Sequence, residues 1–210
     1  LEKAISSSND ISGATFLPTE PKCTGCVMNI DATFKLNDLK YGGSFTAIRI
    51  EGTKNSINER VKNLKNELKI IEYNISILAT HQSEIFWNKV KNLEVFSSTK
   101  NNVVRIIIPP SQCVQLLYQL TSNKFKYYID WAGALIWLEA CELTEEMFDS
   151  IRKKVVKHGG YISMIKPSDD LPYVEEVFTI NMNRFNISQN IKKSFDPKRI
   201  LNPGKMYTGI

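Results

Sequence analysis

Apolar and polar positions alternate most strictly at residues 44–51. Phe45, Ala47 and Arg49 share one face there and Thr46, Ile48 and Ile50 the other, which predicts a β-strand. Residues 11–17 alternate well enough for an earlier strand. Between the two, residues 18–43 read as a long irregular insertion holding Pro, Gly, Asn, Cys23 and Cys26. Ser56 and Glu59 then have the spacing of a capping box, and the period changes: Ile57, Val61, Leu64, Leu68 and Ile71 make one apolar helical stripe. A short strand is expected at 75–78 and a helix at about 83–93.

The second half is more regular. Residues 103–108 form a compact apolar strand stopped by Pro109 and Pro110. Ser111 is placed to cap a helix with Val114, Leu117, Tyr118 and Thr121 near one face. Strands at 127–131 and 134–140 are joined by a tight turn at Gly133. Thr144 caps the next helix, Glu145 and Glu146 sit at its positive end, and Lys157, His158 and Gly159 finish it before a strand at 161–165. The order β-α-β-β-α-β over about 103–165 is that of a ferredoxin-like unit, and the first half repeats only the β-α-β part. The expected fold is therefore α+β, a ferredoxin-like unit extended by a preceding partial β-α-β repeat. It forms a single antiparallel-type sheet with helices packed on one side.

After Pro167 a loop runs through Pro172. A helix follows from about Met182, with Ile187, Ile191 and Phe195 at i, i+4 and i+8 on a face expected to be buried. Residues 1–180 are read as one α+β region and 181–210 as a helix with a tail. That tail holds Pro197, Pro203, Gly204 and Gly209, so it continues neither a helix nor a central strand. Pro197 and Pro203 should push Asp196 and Asn202 toward extended geometry, presenting Asn202, the Gly204 backbone and Lys205 in a fixed order.

Composition changes this picture little. The 210 residues are 42% hydrophobic and 23% charged, enough for one good core or two small ones sharing a sheet. No apolar run is long enough to cross a bilayer, and no secretory signal is visible. The start Leu1-Glu2-Lys3-Ala4 reads as the interior of a domain, so a fragment or C-terminal portion is expected. Cys23 and Cys26 form a lone C-x-x-C, while Cys113 and Cys141 fall in a predicted helix and strand. A structural or loop role for the pair stands beside a redox or metal role, and a reducing, cytoplasmic compartment is inferred. A metal site is not expected, since His81 and His158 are each isolated. The net charge of +5 is concentrated: residues 184–205 carry Arg184, Lys192, Lys193, Lys198, Arg199 and Lys205 against Asp196 alone. That excess suits an anionic cofactor or partner, or is simply a solvated charged helix.

The tail Phe195-Asp196-Pro197-Lys198-Arg199-Ile200-Leu201-Asn202-Pro203-Gly204-Lys205-Met206 resembles the ending of flavin-linked 2-hydroxy-acid oxidases and dehydrogenases. Other stretches are similar to the smaller, FAD-binding subunit of bacterial glycolate oxidase. They are Gly42-Gly43 with Arg49, Glu51, Gly52 and Arg60, then Asp130-Trp131-Ala132-Gly133 with Trp137-Leu138, then His158-Gly159-Gly160-Tyr161. The glycine-rich loop that cradles the FAD pyrophosphate in such enzymes is absent, as is the H-x-G-D-G-N metal motif of the larger subunit. The resemblance thus implies the C-terminal, cap-like part of the smaller subunit. Its partners would be an N-terminal FAD-binding domain, a larger oxidase subunit and a small 2-hydroxy acid. It would be cytoplasmic, or peripheral to the inner membrane within a complex.

The implied chemistry is hydride transfer from the substrate α-carbon to flavin, which needs a cation for the carboxylate and a base for the hydroxyl proton. Asn202, Gly204 and Lys205 are the cofactor-binding candidates, against a role as a packing clasp. Arg49 is the anion-clamp candidate on a strand taken as central, against a structural pair with Glu51. Trp131 and Trp137 could line a flavin or an interface, or belong to the core. His81 and His158 are bases by type only, so the catalytic residue is unassigned. Two non-enzymatic readings compete, an interaction module or remnant that docks a larger oxidase subunit, and an RNA-recognition domain. The aromatic pattern that stacks bases is missing, so nucleic acid is not expected.

Overall fold

The structure, a computed structural model, describes residues 1–18, 44–69, 75–97, 99–120, 125–169, 177–205 and 207. Its strands are β1 (Ile11–Leu17), β2 (Phe45–Ile50), β3 (Asn102–Ile107), β4 (Phe125–Asp130), β5 (Leu135–Ala140) and β6 (Tyr161–Lys166). Its helices are α1 (Glu2–Ile5), α2 (Lys54–Leu68), α3 (Thr80–Lys91), α4 (Pro110–Leu120), α5 (Glu145–Lys157) and α6 (Met182–Phe195). The strands form a single sheet in the order β2-β1-β4-β5-β3-β6, each neighbouring pair antiparallel. Strands β3 to β6 with α4 and α5 have the ferredoxin-like arrangement expected. Helices α4 and α5 share one side and close the main core there, around Ile106, Leu116, Ile136, Phe148, Ile151 and Ile162.

Why the β3–β6 unit was readable is plain from its local chemistry. Alternate residues of β3 fall on opposite faces: Val104 and Ile106 join the main core, Val103 a second cluster. The Thr144 hydroxyl accepts the Met147 N–H, capping α5 as expected. Gly160 turns α5 into β6, and a Cβ there would lie 2.7 Å from the Ile107 carbonyl oxygen, so only glycine fits that close approach.

The first half departs from the reading. Residues 75–78 form no strand, so β1 and β2 extend the sheet as an antiparallel pair, and among the described residues no strand follows α2 to complete a β-α-β unit. The segment instead leads into α3, which starts at Thr80. Helix α2 starts at Lys54 with Thr53 as its N-cap residue, three residues before the capping box at Ser56, because the Ile57 N–H already bonds the Thr53 carbonyl. In α4 the buried stripe is Cys113, Leu116, Leu117 and Leu120, whereas Val114 and Tyr118 are 67% and 82% exposed. Pro110 opens that helix and Ser111 does not cap it. A smaller cluster on the other face gathers Leu17, Phe86, Val90, Phe96, Val103 and Tyr128 around α3. It covers β1 and β4, reaches Val103 of β3 and Trp137 of β5, and leaves β6 more open, Tyr161 and Ile165 being 36% and 46% exposed.

The largest difference is α6. It buries no residue, and Ile187, Ile191 and Phe195 are 59%, 55% and 85% exposed. Among the described residues no element lies across that stripe. The helix is attached by its first turns, where the Arg184 guanidinium sits 5.0 Å over the Tyr161 ring, and by Phe185 against Tyr207.

Candidate functional site

Two places combine cations, aromatics and exposure: the tail after α6 and the half of the sheet face that α3 leaves open. The tail is organised by Asp196, which is almost fully buried. Its carboxylate pairs with Lys192 Nζ at 2.8 Å and accepts the N–H groups of Leu201 at 2.9 Å and Ile200 at 3.1 Å. Lys192 also donates to the Leu201 carbonyl. The bond from Lys192, then that from the Leu201 amide, hold the Asp196 carboxyl down at a pKa of about 2. One buried carboxylate thus ties the last turn of α6 to the loop that follows.

Beyond that tie, Asn202, Gly204 and Lys205 all face solvent. Asn202 has φ +46°, so it is left-handed and not extended as Pro203 had suggested; asparagine tolerates that region, and the turn closes when Lys205 N–H donates to the Asn202 carbonyl at 3.3 Å. Gly204, at φ +69°, has nothing within 4 Å of where a Cβ would stand. Its glycine is required by conformation and not by space. Tyr207 anchors the far end by edge contacts to Phe178 and Phe185. Residues 177–179 lie along β6, with Thr179 N–H bonded to the Ile162 carbonyl and Met164 N–H to that of Val177.

On the sheet, Trp131 and Trp137 come together around a residue that the sequence reading did not single out. Arg105, on the interior strand β3, has its guanidinium 5.3 Å from the Trp131 ring centre and 5.9 Å from that of Trp137. Trp137 is its register partner on β5 and Ser163 its partner on β6. Trp131 follows Asp130, whose carboxylate accepts the Trp131 N–H at 2.8 Å and starts the 3-10 turn Trp131–Gly133. Burial raises the Asp130 pKa above its ordinary range. An arginine inside the run Val103-Val104-Arg105-Ile106-Ile107-Ile108 was the available signal, since a charge in such a run needs a partner or a purpose.

The remaining candidates are elsewhere. Arg49 is on β2, an outer strand of the described sheet and not a central one, and pairs with Glu51 at 2.9 Å. Arg60 folds over Gly52 and donates to the Glu51 carbonyl, so Arg49, Glu51, Gly52 and Arg60 form one local structure. His158 is held between Gln112 at 2.9 Å and Gln119 at 3.0 Å, and His81 is exposed in the first turn of α3. Neither joins the Arg105 group. Among the described residues no cluster of His, Cys, Asp or Glu could hold a metal. Cys113 is free and buried, its thiol pushed up to about 11 by desolvation. Cys141 is disulfide-bonded. Cys23, Cys26 and Gly42-Gly43 also lie outside the described residues. Among the described residues no helix is long and apolar enough to cross a membrane.

Comparison with known families adds to this geometry. Residues 168–206 match the family model "FAD linked oxidases, C-terminal domain". The matched stretch contains α6, the Asp196 tie and the Asn202–Gly204–Lys205 turn. No curated protein matches the chain.

Proposed function

We propose that the chain is the C-terminal, cap-like part of an FAD-linked 2-hydroxy-acid oxidase or dehydrogenase of the glycolate type. In this reading residues 1–180 form the substrate-facing region and residues 181–210 the arm that returns to the flavin. An N-terminal FAD-binding domain, and in the complex a larger oxidase subunit, would supply the rest. The observation that carries the reading is the matched tail: a loop fixed by Asp196 that nevertheless presents Asn202, Gly204 and Lys205 to solvent.

The residues present suit one wall of a flavin site. Asn202 offers an amide donor and acceptor, Lys205 a cation, and the left-handed turn at Asn202 and Gly204 lets backbone approach closely. FAD, when bound, supplies the acceptor for the hydride that leaves the substrate α-carbon. The chain's own part is to position and to balance charge: Asp196 fixes the loop, Lys198, Arg199 and Lys205 favour an anionic neighbour, and the uncovered sheet face meets the substrate. The proton acceptor is not assigned to this chain.

In the flavoprotein formed with the FAD-binding domain, the Asn202→Ala/Lys205→Ala double variant should lose FAD about tenfold faster. The chain alone should purify colourless. Unchanged flavin retention in that variant, or stoichiometric FAD on the chain alone, would refute the assignment. The uncovered stripe of α6 favours a second reading, an interaction module that docks a larger oxidase subunit without taking part in chemistry. A complex that forms normally but in which Asn202 and Lys205 are irrelevant to flavin would support it.

A further inference from the structure

We propose that Arg105 anchors a binding slot for a small organic carboxylate on the open half of the sheet, walled by Trp131 and Trp137. The slot is defined by geometry, and its link to catalysis rests on the flavoenzyme reading above.

Arg105 makes no hydrogen bond and no ion pair among the described residues, and its Nε is buried without a partner. Five N–H donors on an interior strand are thus matched only by two aromatic rings. Ring faces offset the charge but cannot accept the in-plane N–H groups, and those on the two Nη atoms stay open to a ligand. A carboxylate is flat and accepts two parallel N–H bonds end-on from the two Nη groups, which, unlike Nε, are not buried. Indole walls suit the carbon skeleton of an organic acid better than a strongly hydrated inorganic anion. Trp131 is 54% exposed and stands at the mouth of this place. Ser163, beside Arg105 on β6, brings a hydroxyl to the same face, and it pairs through Phe178 with the segment matched to the flavin-oxidase family. Arg184 over Tyr161 adds a second cation at the rim. Arg49 offers none of this, because Glu51 already occupies it.

The test uses the whole chain without flavin. Trp87→Phe, which packs beside Phe86 near Gly13, removes the indole that does not report on the slot. Tryptophan emission and calorimetry are then followed against glycolate, lactate and pyruvate, with inorganic phosphate in parallel. Saturable binding of a carboxylate is expected. Arg105→Gln should weaken it at least about tenfold, Arg105→Lys should restore part of it, and Lys153→Ala, exposed on α5, should leave it unchanged. If Arg105→Gln fails to fold, Trp131→Ala carries the test through loss of the exposed wall. No saturable binding, binding indifferent to both variants, or phosphate bound as well as the carboxylates overturns the slot. Arg105-dependent binding in a protein that never oxidises 2-hydroxy acids with its flavin partner would sink the flavoenzyme reading and leave the slot. Normal oxidation by the Arg105→Gln flavoprotein would do the reverse.

Discussion

Helices α5 and α6 are alike in length and both carry an apolar stripe, yet they end in opposite situations. Helix α5 buries Phe148, Ile151 and Val155 against the sheet, while α6 buries nothing and leaves Ile187, Ile191 and Phe195 in solvent. Periodicity identifies the face that seeks cover but not the element that covers it. For α5 that element is the sheet formed by its own neighbours in sequence. For α6, which lies within the matched residues 168–206, no described residue plays the part. Under the function proposed above, a flavin-binding partner would cover that stripe.

The contrast has measurable consequences. Phe148→Ala should cost about 3–5 kcal/mol of folding stability through a core cavity, read from chemical denaturation. Phe195→Ala should change it by no more than about 0.5 kcal/mol. Comparable losses from both would mean that α6 is buried in the folded chain and that the comparison is false. Gly160→Ala should cost about 1–3 kcal/mol and lower the melting temperature, because the added methyl group meets the Ile107 carbonyl and the Val155 side chain.

Asp196 gives a smaller and more local effect. Its folded pKa of about 2 lies below its ordinary value, so the tie is complete above about pH 4 and is lost as pH falls toward 2. Amide exchange at Ile200 and Leu201 should accelerate over that window while exchange in β3 and β5 stays slow. Asp196→Asn should show the fast tail at neutral pH. A tail equally protected in both proteins would mean that Asp196 does not organise it. The mildest effect is expected for Ile191→Ser: unchanged stability of the chain alone, with several-fold weaker association with the flavin-binding part.

The β3–β6 unit was legible because its signals are local. Thr144 caps α5, Gly159 and Gly160 end it, and Pro109 and Pro110 stop β3, so lengths and order follow directly. Residues 75–78 were misread because a short apolar run looks alike in a strand and in an irregular lead-in to a helix, where Ile77 is 71% exposed. The stripe of α4 was misplaced because Val114 and Tyr118 are apolar but point outward, while Cys113 and Leu116 do the packing. The tail was legible as a motif, but its stiffness lies in Asp196 as much as in the prolines. Arg105 went unnoticed because its aromatic neighbours are distant in sequence: sheet register sets Trp137 beside it, and the turn after β4 brings Trp131.

The most direct measurement is the rate at which FAD leaves the flavoprotein formed by this chain and the proposed FAD-binding domain, with and without the Asn202→Ala/Lys205→Ala substitutions. A loop that completes the flavin site predicts release about tenfold faster in the variant, with the association of the two parts intact. Identical release rates would contradict it, leaving α6 and its tail as a docking element alone.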